Sequence, residues 1–203
     1  MKNPILVALA ILVSTVSFAQ KKELRTAEKA IKNNNYAEAK SALNQAESMM
    51  SEMDEKQKSE YHLLVAKALY AQGTANDTDL NKAIKNLIMV GEDYDSEAAE
   101  LKTTMENELL TEANSLYTAN NFPEAGAKFE QLYRVVPTDT TYLYYAAVSA
   151  VSGQDYEEAL KHYLELNKIG YTGVTKEFYA TNKETGEEEI IDKTNHQHLH
   201  KIH

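Results

Sequence analysis

The chain has 203 residues, 43% hydrophobic and 26% charged, an ordinary balance for a soluble globular protein of one or two domains. Its formal net charge of −10 argues against a nucleic-acid backbone or an anionic membrane surface as the main ligand, because both need clustered Lys and Arg. With no cysteine, disulfides, thiolate metal sites and cysteine nucleophiles are excluded, and with no tryptophan the aromatic surface falls to 13 tyrosines.

Residues 1–19 read as a targeting segment. Lys2 supplies a positive start, Ile5 to Val13 is an unbroken apolar run, and Ser17 and Ala19 are the small residues before a cleavage site. A run of nine is too short for the ~20 residues of a membrane-spanning helix. Cleavage after Ala19 is expected, leaving Gln20 first and no integral span in the mature chain. The SFAQ ending resembles signal peptides of Gram-negative envelope proteins, so export to the periplasm or the exterior is the expectation.

From residue 21 the apolar spacing is helical. Residues 21–52 carry Ala27, Tyr36, Ala39, Leu43 and Ala46. Residues 60–90 carry Ala66, Leu69, Gly73, Leu80, Ala83 and Leu87, with a loop lengthened by Thr74 to Thr78. Residues 95–119 predict one long helix. Then the sequence repeats: Leu109 and Leu143, Ala113 and Ala147, Phe122 and Tyr156, Ala125 and Ala159, Phe129 and Tyr163, and Leu132 and Leu166 are each 34 apart. Ala125, Phe129 and Leu132 share one helix face, as do Leu109, Ala113 and Leu116. Small alanines let antiparallel helices approach closely, and the aromatics fill the space between pairs. Asn35, Asn121 and Asp155 each precede a Glu by three residues, a spacing that predicts capping at the start of every second helix. Pro123 falls in a first turn, where its missing N–H is tolerated.

These features resemble the tetratricopeptide repeat family from about residue 21 to 169, best in residues 106–139 and 140–171, with Pro137 at the family's closing proline. The resemblance implies an all-α fold, a right-handed superhelical solenoid of about four antiparallel helix pairs over residues 20–169. It also implies a non-catalytic protein–protein interaction scaffold that binds peptide segments in a concave groove lined by first helices. Carried over position by position, the groove falls on Leu24 and Glu28, then Leu63, Lys67 and Tyr70, then Leu110, Asn114 and Tyr117, then Tyr144 and Val148. Asn114 matches part of the family's clamp for C-terminal carboxylates, but the accompanying lysine is Leu110 here, so no such clamp is predicted. Packing between repeats is the competing role for Tyr117 and Tyr144.

Beyond Leu166 the helical pattern stops. Two β-prone runs around Asn182 to Gly186 predict a short hairpin over residues 170–192 that must lean on the last helices. No capping helix follows, so either the hairpin covers the end or the chain is the front of a longer array. Residues 193–203 are a histidine-rich tail in which His196, His198, His200 and His203 offer a metal-binding alternative. No phosphate loop, nucleophile elbow or zinc-protease motif occurs, and the many acidic residues fall on exposed helix faces. The chain reads as no enzyme and needs no cofactor. A third possibility is a structural subunit held in a complex through its convex faces.

Overall fold

The computed structural model describes residues 19–173, 178–181 and 188–191, with side chains over 19–173. The chain divides into two compact units between Leu166 and Asn167, three residues before the boundary the sequence predicts. Residues 1–18, holding most of the expected targeting segment, and the histidine tail lie outside the described residues.

The first unit is all-helical. Helix α1 covers residues 19–32. It is followed by α2 (Tyr36–Glu47), α3 (Glu55–Tyr70), α4 (Asp77–Ile88), α5 (Asp95–Thr118), α6 (Phe122–Val135), α7 (Thr141–Ser152) and α8 (Tyr156–Lys168). Among the described residues, no helix is long and apolar enough to cross a membrane. Helix α2 packs on α3, α3 on α4, α5 on α6 and α6 on α7, and α3 also touches α5 while α4 touches α6. First helices therefore stack in one layer and second helices in another.

The core follows from the small residues. Ala27, Ala39, Ala66, Ala83, Ala113, Ala125, Ala146 and Ala147 have no accessible surface. Gly126 brings α6 so close to α7 that a β-carbon there would sit 3.4 Å from the Ser149 side chain. Helix α3 serves two hydrophobic clusters at once. Tyr61, Leu64 and Ala68 join α1 and α2, whereas Leu63, Ala66 and Tyr70 join the larger cluster that runs on to Ala146.

The predicted long helix is α5, which ends one residue short of expectation. The second repeat begins earlier than expected. Asp54 and Gln57 form a reciprocal capping box, Gln57 N–H donating to Asp54 Oδ1 at 2.8 Å and Asp54 N–H to Gln57 Oε1 at 3.1 Å, and this starts α3 at Glu55. The lengthened loop also sits elsewhere: Ala71, Gln72 and Gly73 all have positive φ, and Asp77 and Thr78 already belong to α4 under an Asn76 cap.

Two predicted caps form and one does not. Asn35 Oδ1 accepts from Glu38 N–H at 3.3 Å, and Asp155 Oδ1 from Glu158 N–H at 3.1 Å. Asn121 accepts no backbone N–H in that way; its amide donates to Glu124 Oε2 at 2.6 Å. The residue before each of these three positions is left-handed, with φ of 57° at Asn34, 62° at Asn120 and 61° at Gln154. Asn tolerates that region, whereas Gln carries the steric cost of its Cβ against the carbonyl.

The aromatics of the last repeat differ from their partners 34 residues earlier. Phe129 is 3% exposed because Tyr145 of α7 packs 5.4 Å from it, but Tyr163 is 40% and Tyr156 67% exposed. Among the described residues no further helix follows α8.

In the second unit, the described stretches Phe178–Thr181 (β1) and Glu188–Ile191 (β2) are extended. The expected turn at Asn182 to Gly186 lies outside the described residues.

Gln154→Gly removes the left-handed penalty at the α7–α8 turn and adds some unfolded-state entropy. We expect a net gain of about 0.5–1 kcal/mol in denaturant unfolding, with no change in helical content. A loss of stability would show that the Gln154 side chain contributes more than its backbone strain costs.

Candidate functional site

A concavity lies between α5 and α7. It encloses about 610 Å³, within the range of ligand-binding clefts, and is lined by Leu110, Asn114, Tyr117, Phe129, Asp139, Thr141, Tyr142, Tyr144, Tyr145 and Val148. Five residues placed on the groove from the sequence meet here: Leu110, Asn114 and Tyr117 from α5, and Tyr144 and Val148 from α7. They converge because residues three, four and seven apart share a helix face and the two first helices lie side by side.

The aromatic side chains are organised rather than loose. Tyr117 stacks edge-on against Phe122 at 5.2 Å, and its hydroxyl lies 3.4 Å from Ser152 Oγ. Tyr144 lies 5.9 Å from Tyr145, which in turn meets Phe129. Tyr117 and Tyr144 are each 37% exposed and Tyr145 43%, so packing between repeats uses part of each ring and leaves the rest to solvent.

The floor is Tyr142, 7% exposed, whose hydroxyl donates to Glu106 Oε1 at 2.8 Å. Burial pushes its phenol well above the ordinary tyrosine range, and the bond to the Glu106 carboxylate raises it further. Tyr142 therefore stays a neutral donor at physiological pH. Asp139 is the one charged residue of this lining.

The other expected groove residues lie elsewhere. Lys67 and Tyr70 line a separate cavity of about 360 Å³ with Ile31, Tyr36, Leu101 and Glu108. Tyr70 is only 5% exposed and reaches that cavity through its hydroxyl, which donates to Glu108. Leu63 is a correction: at 3% exposure it belongs to the larger core cluster. Leu24, at 1%, is likewise core, and Glu28 pairs with Lys32 at 2.7 Å. The reason is that α3 is covered on two sides: Tyr61, Leu64 and Ala68 pack into one hydrophobic cluster and Leu63, Ala66 and Tyr70 into the other. The tail residues His196, His198, His200 and His203 lie outside the described residues.

Sequence reasoning missed Asp139, Thr141, Tyr142 and Tyr145. Tyr145 directly follows Tyr144, and the run Tyr142-Leu-Tyr-Tyr145 was the available signal, because three tyrosines in four positions must occupy more than one helix face.

Tyr142→Phe removes the donor to Glu106 and keeps the ring. A loss of about 1 kcal/mol in unfolding free energy is expected, the usual worth of one such bond. An unchanged stability would mean that water replaces the phenol without cost.

The search of curated proteins returns no match to this chain. Residues 110–170, which hold α6, α7, α8 and all of the groove lining, match the family model described as tetratricopeptide repeat, and this match supports a tetratricopeptide-repeat protein.

Proposed function

We propose that the chain is a non-catalytic scaffold of the cell envelope that binds a peptide or protein segment in the groove between α5 and α7. The observation that carries this reading is the cluster of part-exposed tyrosines, Tyr117, Tyr144 and Tyr145, around a cleft of about 610 Å³. Tyr offers large contact area with few torsions to freeze, and such side chains dominate the energetics of protein interfaces. Tetratricopeptide repeats generally mediate protein–protein interaction, and the family match covers this groove. Asn114 adds a side-chain amide able to pair with a peptide backbone. The superhelical path of the repeats and the pairing of β1 with β2 as a hairpin extension belong to the same proposal.

The envelope assignment rests on Lys2, the apolar run Ile5 to Val13, and the small residues Ser17 and Ala19. It predicts a mature chain starting at Gln20. Amino-terminal sequencing of the protein from its native cell should read Gln-Lys-Lys-Glu, and a chain still carrying Met1 would overturn it.

The groove is tested with a photo-crosslinking residue in place of Val148, followed by affinity measurement on the partner so identified. Tyr117→Ala with Tyr144→Ala should weaken that partner about tenfold or more, the loss expected for central aromatic anchors. Affinity unchanged in a folded double variant would move binding to another face.

A further inference from the structure

We propose that Glu130, Glu158 and His162 form a binding site for a divalent transition-metal ion, with Zn²⁺ the best chemical fit. One donor atom from each of the three lies within 4.8 Å of the others. Glu158 and His162 are four residues apart on α8 and so share a face, and Glu130 approaches from α6. All three line a cavity of about 210 Å³ together with Phe122, Ala146 and Ser149. None of the three lines the tyrosine groove, so the proposal is independent of the peptide-binding role.

The imidazole supplies the second observation. His162 is 2% exposed, its Nε2 lies 3.3 Å from Glu158 Oε1, and its Nδ1 is buried with no hydrogen-bond partner. Buried polar atoms are nearly always satisfied, so a buried imidazole that lines this cavity and keeps one nitrogen without a partner calls for a ligand.

One imidazole and two carboxylates make a donor set that Zn²⁺ accepts readily. Calcium and magnesium prefer oxygen alone, which leaves the imidazole unused. Tetrahedral zinc with bonds of about 2.0–2.2 Å sets its donors about 3.3–3.6 Å apart, so the carboxylates must close by about 1 Å. Glu130 and Glu158 have the torsional freedom to do so, since both are only half-buried. Water fills the fourth position.

Lys161 opposes the ion. Its Nζ lies 2.6 Å from Glu158 Oε1, and Glu130 and Glu165 act on it as well. Its side chain is 58% exposed, so it exchanges this partner for water at little cost. Lysine neutralises the carboxylates without metal and swings out when the ion enters.

The test uses the full chain with His196, His198, His200 and His203 all changed to Ala, which removes the tail as a competing ligand. Calorimetric titration with zinc chloride should show one saturable site. Adding Glu130→Gln or His162→Gln should weaken it about tenfold or more, and Lys161→Met should tighten it. Zinc should raise the melting midpoint of the parent and leave that of the folded His162→Gln chain unchanged. Absence of saturable binding, or equal affinity in the folded Glu130→Gln and His162→Gln chains, overturns the proposal.

Discussion

The closeness of paired helices is the constraint on which the rest of this structure depends. Alanines without accessible surface stand at the helix seams, among them Ala113 of α5, Ala125 of α6 and Ala146 of α7. A larger residue at any of these places would push the backbones apart and open space that nothing nearby could fill. The bulky residues Met105, Leu132 and Leu143 then fill what the alanines leave, each with no exposed surface.

That closeness also decides where aromatic rings go. Alanine seams leave little room for a phenol; Tyr61, Tyr70 and Tyr142 are buried in the hydrophobic clusters, and other tyrosines stay part-exposed. Tyr142 still tucks under and anchors on Glu106, whereas Tyr144 and Tyr145 reach the open side of α7. The groove is thus a by-product of the packing rule: α5 and α7 are each held against α6, and residues of both carry the rings that line the cavity.

Much of this was legible in the sequence, for identifiable reasons. Ala125, Phe129 and Leu132 are buried as their spacing predicts, because one helix face must be apolar when it packs on both neighbours. Leu110, Asn114, Tyr117, Tyr144 and Val148 meet in one cleft because the repeat fixes their phase. Legibility failed where the period is irregular. Leu63 is buried because α3, which lies outside the 34-residue match, is packed into two hydrophobic clusters at once. At the α7–α8 turn Gln154 rather than Gly153 takes the left-handed conformation, in line with Asn34 and Asn120. The pair Glu158 and His162 stood in plain sight one turn apart, but nothing in a linear reading brings Glu130 of another helix beside them.

The continuous helix α5 has a consequence for how the array comes apart. Arrays of helix pairs usually lose order one pair at a time, because each boundary is a loop where the backbone ladder is already interrupted. Here the 24 residues of α5 run without a break, with Ala98 near the start and Ala113 near the end both buried in the larger core cluster. An unzipping front arriving from α7 and α6 meets an intact ladder of backbone bonds instead of a loop. The middle of the molecule therefore behaves as a single cooperative block, and any strain imposed on the tyrosine groove is carried along one rod into the α3–α4 pair.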